Sequence, residues 1–285
     1  MNQEFSFWGY SVADSKLIHS VEAESVVDAW LTATDTILAS PNKSIFNLVV
    51  GIHSPVILGE IDQLVCRKVD EFLRARKSQP LITVANTIFP GGFYRDGGAR
   101  AVYDDYPESY TISKEKWGTY AGRLFTKVQL RSEKTSKIER VVRKLRQNAA
   151  SNPLRAAYEV DVLDTVDGEE VSTYCAATDA NMGIGQPCLT HLSFKLHPDD
   201  GTVSLTALYR SQYYVTKALG NFVGLAQLLA FVATEAGLKP GFLVCHATMA
   251  KVDLSNNWNL EDVRKLTEKC KDVKALGVAT ELSPV

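Results

Sequence analysis

The segment Asn221 to Ala236 is apolar around nearly its whole circumference, with Gln227 set among leucines, alanines, valines and phenylalanines. A helix with no polar face has to be enclosed on all sides. The segment therefore predicts a central buried helix with other layers packed around it. Gly237 follows as a C-terminal cap, and Pro240 bars continuation.

Strands are available to build those layers. Leu189 to Leu196 and Val203 to Tyr209 alternate in the strand manner and are joined by the turn Pro198-Asp199-Asp200-Gly201, which predicts a hairpin. Ile45 to Ile52 and Phe242 to His246 read as strands, as do Leu81 to Phe89 and Ala156 to Val162. Residues 25–40, Glu60 to Arg76, Ser136 to Asn148 and Leu260 to Lys271 carry apolar residues at helical spacing. Pro90-Gly91-Gly92 and Gly97-Gly98 punctuate a stretch that reads as a long loop through Tyr110. That loop lacks the lysine of a phosphate-binding P-loop and reads as a plain mobile loop, with a lid that carries Arg95 or Arg100 to a phosphate as the alternative. The sum predicts an α+β fold with a mixed sheet and a buried central helix, in one domain over residues 1–285.

Charge and cysteine usage narrow the function. A net charge of -2 over 285 residues gives no basic field for nucleic acid, so the basic stripe from Lys134 to Arg146 reads as a solvated helix face. Five cysteines without CxxC spacing point away from a disulfide framework and from zinc, so no metal is expected. A reducing cytoplasm is the simplest compartment. The N-terminus lacks the pattern of a signal peptide, and the longest apolar run, Phe222 to Ala233, is short for a bilayer, so no membrane is expected.

Two segments carry the candidate chemistry. Gln186-Pro187-Cys188 feeds the first hairpin strand, and Tyr209-Arg210-Ser211 ends the second, with Asn221 ten residues beyond Ser211. By itself Cys188 is one more thiol of a residue type usually buried and inert. Asn221 alone could serve as a helix N-cap, and Tyr120 as a packed aromatic. In this order and spacing the segments resemble the thymidylate synthase and deoxycytidylate hydroxymethylase family. Further matches are Trp117-Gly118-Thr119-Tyr120, the helix 136–148 with Asn152-Pro153-Leu154-Arg155, and Leu238-Lys239-Pro240-Gly241. The similarity runs from about Trp117 to Asp253, and residues 1–115 fall outside it.

The resemblance implies a thymidylate synthase-like fold, a homodimer formed through the sheet and a pyrimidine nucleotide as substrate. It implies Cys188 as the nucleophile, Arg210 and Ser211 as the phosphate grip, Asn221 as the base reader and Tyr120 as a proton-handling residue. Arg155 would reach the partner's phosphate. The implied one-carbon donor is 5,10-methylenetetrahydrofolate. Tyr213 stands where the family has its folate-binding Asp, and Lys217 where it has Gly. Lys251 and Asp253 stand where a His and a Tyr hold the sugar, as candidates for new substrate contacts.

The residue types suit that chemistry. Thiolate addition to pyrimidine C6 turns C5 into a carbon nucleophile, and a neighbouring arginine favours the thiolate. An amide donates to the base carbonyl as charge develops there. The expected function is C5 methylation or hydroxymethylation of a pyrimidine nucleoside 5′-monophosphate. The alternative is a catalytically inactive nucleotide-binding or assembly protein with Cys188 inert.

Overall fold

The structure, a computed structural model, describes residues 17–110, 118–130, 133–149, 158–161 and 187–281. The strands β1 (His19–Ala23), β2 (Ser44–Ile52), β5 (Glu159–Asp161), β6 (Leu189–His197), β7 (Thr202–Tyr209), β8 (Gln212–Tyr213) and β9 (Lys239–Lys251) form one mixed sheet. Its order is β1-β2-β9-β7-β6-β5, with β8 pairing β9. β9 is central: it runs antiparallel to β2 and parallel to β7. The short β3 (Val128–Leu130) and β4 (Glu133–Thr135) pair separately. Helices and a mixed sheet in one core make the fold α+β.

Helix α1 (Val26–Ala39) starts where the Ser25 hydroxyl accepts from the Asp28 N–H at 3.2 Å. α2 (Glu60–Ala75) buries Val65, Val69 and Leu73 on one stripe. α7 (Lys137–Ala149) buries Ile138, Val141, Val142 and Leu145 and turns its basic residues outward. α8 (Ala218–Ala236) is the predicted central helix; it packs on β7 and β9 and against α1, α3 (Leu81–Asn86) and α7. Gly237 ends it at φ 73°, in the left-handed region that glycine enters without strain. With 19 residues, α8 is longer than expected and apolar enough to cross a membrane by length and composition, yet 72% of its span is buried inside the protein. α9 (Leu260–Glu281) covers α2. α1 and α8 touch each other and so share one face of the sheet. On the other face, Phe46 and Phe242 are exposed and Val49, Val244 and Leu208 half-buried.

Two expectations are corrected. Residues 81–89 are not a strand: α3 (Leu81–Asn86) is a helix that Pro80 opens. Leu81, Val84, Ala85 and Ile88 are buried at helical spacing, and that packing overrides the β-propensity of Leu-Ile-Thr-Val. The close approach comes from α8, where a Cβ on Gly220 would lie 2.7 Å from the Val84 Cβ and one on Gly224 2.7 Å from the Ala85 carbonyl oxygen.

Nor is 90–110 a loop. α4 (Gly91–Arg100), a π-helical stretch over Ala101–Asp105 and α5 (Tyr106–Ser109) follow one another, kinked at Gly98 with φ 63°. Aromatic packing holds the segment despite its glycines. Phe231 of α8 receives Phe89 at 5.2 Å, Tyr94 at 5.3 Å and Tyr103 at 5.3 Å between ring centroids.

Candidate active site

Hairpin register builds the site. Leu189 of β6 pairs with Tyr209 of β7, so the residues just outside the pair, Cys188 and Arg210, face each other. The Arg210 N–H donates to the Cys188 carbonyl at 3.0 Å. The Thr248 hydroxyl donates to the Arg210 carbonyl at 2.8 Å, which ties this end of the hairpin to β9. The Arg210 guanidinium, on an exposed residue, hydrogen-bonds the half-buried Cys188 thiol.

Tyr120 opens α6 (Tyr120–Phe125), which Thr119 caps by accepting from the Gly122 N–H at 3.0 Å. Its hydroxyl accepts from the Cys188 N–H at 3.0 Å and the Leu189 N–H at 3.3 Å. Two strand-end donors thus find their acceptor in a side chain from a distant helix. Burial pushes the Tyr120 phenol up to about 12, so it stays protonated and retains its own proton to donate.

Cys188 departs from expectation in direction. Burial raises the thiol above its ordinary value, and the Arg210 charge, its hydrogen bond and the Lys217 charge pull it only part of the way back. The resting residue is a neutral thiol with two cations beside it. Free of nucleotide, arginine proximity alone does not make a thiolate here.

Beyond β7 the chain runs through Ser211, β8 and a turn into α8. Ser211 is half-buried at the hairpin end beside Arg210. Asn221 is not the N-cap of α8; Lys217 holds that position, and the Asn221 N–H donates to the Lys217 carbonyl at 2.8 Å. The Asn221 side chain is only 6% exposed. Lys217 Nζ donates to Gln79 Oε1 at 2.7 Å, so the α2–α3 turn is part of the site. The sequence reading had no route to Gln79, because it placed a strand beside it.

Lys251, exposed at the end of β9, and Asp253 line a cavity of about 500 Å³ with Lys217 and Tyr213. Asp253 is committed to the fold: Oδ1 accepts from the Val215 N–H at 2.8 Å and Oδ2 from the Thr216 hydroxyl at 2.7 Å. Arg155, Trp117 and Gln186 lie outside the described residues. Among the described residues no group of three His, Cys, Asp or Glu side chains could hold a metal ion. Cys188, Arg210 and Tyr120 are therefore directly linked, Lys217 joins them by its charge, and Lys251 and Asp253 sit at the adjoining cavity.

An α+β fold that holds a cysteine under an arginine at the end of a hairpin defines the class, and comparison with known proteins sharpens it. No family model matches the chain. Over 262 residues it is 24% identical to a Methanothermobacter thermautotrophicus protein named "Putative thymidylate synthase", which covers 87% of this chain and 100% of that one. A Methanosarcina acetivorans protein of the same name is 25% identical over 170 residues, 55% of this chain and 70% of the relative. Among solved structures, the crystal structure of thymidylate synthase from T4 phage aligns with a TM-score of 0.47 and 12% identity, over 84% of this chain and 79% of that one. The chain is a divergent thymidylate synthase-like protein.

Thymidylate synthases generally take their one-carbon unit from methylenetetrahydrofolate. The resemblance places a folate-binding carboxylate at the position of Tyr213, so that contact does not fit here, and Asp253, the carboxylate that lines the neighbouring cavity, has both oxygens bonded to the Val215–Thr216 segment.

Proposed function

We propose that this protein modifies C5 of a pyrimidine nucleoside 5′-monophosphate through a covalent bond from Cys188 to ring C6. The carrying observation is the Cys188–Arg210 pair, a half-buried thiol hydrogen-bonded by an exposed guanidinium and clamped at its backbone by Tyr120. Arg210, with Ser211, grips the phosphate as a planar fork suited to oxyanions.

The chemistry follows from these groups. Cys188 loses its proton and its sulfur electron pair forms the bond to C6. The C5–C6 double bond shifts, and charge appears on the base carbonyl oxygen, where the buried Asn221 amide donates. C5 then bonds the one-carbon electrophile and loses its proton, the bond from that carbon to its carrier breaks with its electrons going to the carrier, a nucleophile adds to the methylene left on C5, and the Cys188 sulfur leaves with the electrons of the C6 bond as the C5–C6 double bond reforms. Tyr120, whose hydroxyl accepts from the Cys188 N–H and keeps its own proton, handles a proton through water. Water as that nucleophile gives the hydroxymethyl product, and a hydride from a hydride donor, in place of water, gives the methyl product.

The sheet face whose described residues Phe46 and Phe242 are exposed supports a homodimer. Phe46 is 69% exposed and Phe242 42%, an apolar area that a second copy would cover. A reducing cytoplasm suits an enzyme that depends on a free thiol.

A second reading, a nucleotide-binding protein with an inert thiol, has one observation in its favour: burial wins over Arg210 at the thiol. Intact-mass spectrometry with 5-fluoro-pyrimidine monophosphates of both sugars and both bases separates the two readings. A Cys188-dependent adduct is expected, and the nucleotide that gives it names the base and sugar. Binding of these nucleotides with no adduct would leave the second reading standing.

A further inference from the structure

Two ion pairs fix how α9 lies on α2. At one end Lys274 Nζ meets Asp62 Oδ1 at 2.8 Å, and at the other Arg76 Nη2 meets Asp262 Oδ1 at 3.3 Å. Residue numbers rise along α2 as they fall along α9, so the two helices are antiparallel. One helical turn inward from the Asp62–Lys274 pair stand Cys66 on α2 and Cys270 on α9. Residues one turn apart share a helix face, so the two thiols occupy facing positions on the contact between the helices. Val65 and Val69 of α2 and Val263 and Leu266 of α9 are buried in the same core.

The surroundings of the pair divide the work between its members. Cys66 is half-buried, and Cys270 is fully buried. Burial, then the charges of Asp62 and Asp70, push the Cys66 thiol up to about 12. Burial, then the Cys66 charge itself, push Cys270 up to about 12. Both thiols are therefore neutral at rest, and two neutral thiols stand side by side without repulsion. A reagent from solvent reaches Cys66 first, and Cys270 is placed to attack whatever forms there.

We propose that Cys66 and Cys270 are a redox modification site, a dithiol that a low-molecular-weight disulfide converts to an intramolecular disulfide stapling α2 to α9. Cys66 loses its proton, and its sulfur electron pair bonds one sulfur of the small disulfide, whose S–S bond breaks and releases a thiolate. Cys270 loses its proton in turn, and its sulfur bonds the Cys66 sulfur and expels the second small thiolate. The protein thiols give up two electrons and two protons, and the small disulfide takes them up as two thiols. The bond closes a loop of about 200 residues, which constrains the unfolded chain strongly. In a reducing compartment such a bond is transient and reports redox state.

The stapled helices back the cavity that adjoins the candidate site. α2 leads into the turn that carries Lys77 and Gln79 to that cavity, with Gln79 bonded to Lys217. Trp258, just before α9, lines the same cavity and packs on Phe72 of α2 at 6.3 Å between ring centroids. The staple therefore reinforces this wall. It stands apart from Cys188 and does not depend on the nucleotide reading.

Peptide mapping of the full chain after treatment with oxidised glutathione at about pH 8.5 tests the site. The unmodified chain is compared with Cys66→Ala, Cys270→Ala and Cys188→Ala. A peptide linking Cys66 to Cys270 is expected in the unmodified chain and in Cys188→Ala. Cys270→Ala should instead retain glutathione on Cys66, and Cys66→Ala should leave Cys270 unmodified. The linked protein should melt about 5 °C higher than the reduced one, and dithiothreitol should reverse the shift. Glutathione held on Cys66 of the unmodified chain without the link, a link from either thiol to another cysteine, or no change at either thiol would overturn the proposal. A link that lowers the melting temperature would overturn the staple. The map of the unmodified chain decides the matter even where an alanine variant does not fold.

Discussion

The hydroxyl of Tyr120 accepts hydrogen bonds from the backbone N–H groups of both Cys188 and Leu189, across 68 residues of sequence. One phenol on α6 thereby sets the geometry of the turn that presents the thiol. Replacing Tyr120 by Phe removes the acceptor and leaves two inward donors unpaired, at about 1–3 kcal/mol. Tyr120→Phe should lower the melting temperature and slow fluoropyrimidine adduct formation while phosphate affinity, carried by Arg210, stays near that of the unmodified protein. Thermal melts and adduct kinetics measured side by side check this, and an unchanged adduct rate would show that the hydroxyl does not matter.

The thiol's environment makes a pH prediction. Burial raises Cys188, and Arg210 is the largest influence opposing it. The thiolate fraction at neutral pH is therefore small, and iodoacetamide alkylation of Cys188 should keep rising above about pH 8.5, where a free thiol is half ionised. Arg210→Ala removes a stabiliser of the thiolate, so the rate profile should move to higher pH and the rate at fixed pH should fall about three- to tenfold. Lys217→Ala should move it the same way by less. A profile that shifts to lower pH in Arg210→Ala would contradict the pairing.

Gly224 tests the α3–α8 contact. In an ordinary exposed helix, Gly→Ala stabilises by about 1 kcal/mol. Here the new Cβ would meet the Ala85 carbonyl oxygen at 2.7 Å, a backbone atom that cannot swing aside. Gly224→Ala should destabilise by about 1–3 kcal/mol, read as a lower urea midpoint. Stabilisation would mean that α3 stands further from α8.

The exposed Phe46 and Phe242 on one sheet face predict self-association. Phe46→Lys, on an exposed position of β2, should shift light-scattering mass from twice the chain mass towards the chain mass with little loss of helix signal. A chain that is monomeric at micromolar concentration before any substitution would remove the homodimer reading.

The sequence was legible where one physical signal dominated. The all-round apolarity of α8 announced its burial, and alternation with the Asp199-Asp200-Gly201 turn announced the hairpin. That hairpin register alone brings Cys188 to Arg210. Legibility failed where packing outvoted local chemistry. Leu-Ile-Thr-Val looks like a strand, yet Gly220 and Gly224 let it lie as a helix on α8. The glycines of 91–98 read as a loop until Phe89, Tyr94 and Tyr103 close around Phe231. Lys77 and Gln79 were missed for the same reason, because their place beside Lys217 depends on where α3 goes. The thiol's net shift was out of reach as well, since the sequence shows the arginine and not the burial.

The central position of β9 has a consequence for how the chain is made. It is the last strand in sequence, yet it alone joins β2 on one side to β7 on the other. A ribosome delivers β1, β2, β6 and β7 well before it, and α8, with its greasy circumference, emerges before the strand that roofs it. Until Lys251 has left the exit tunnel, two half-sheets and a bare apolar helix wait without their keystone. Assembly of the sheet therefore waits for β9, and α8 stays bare on that side until the strand arrives.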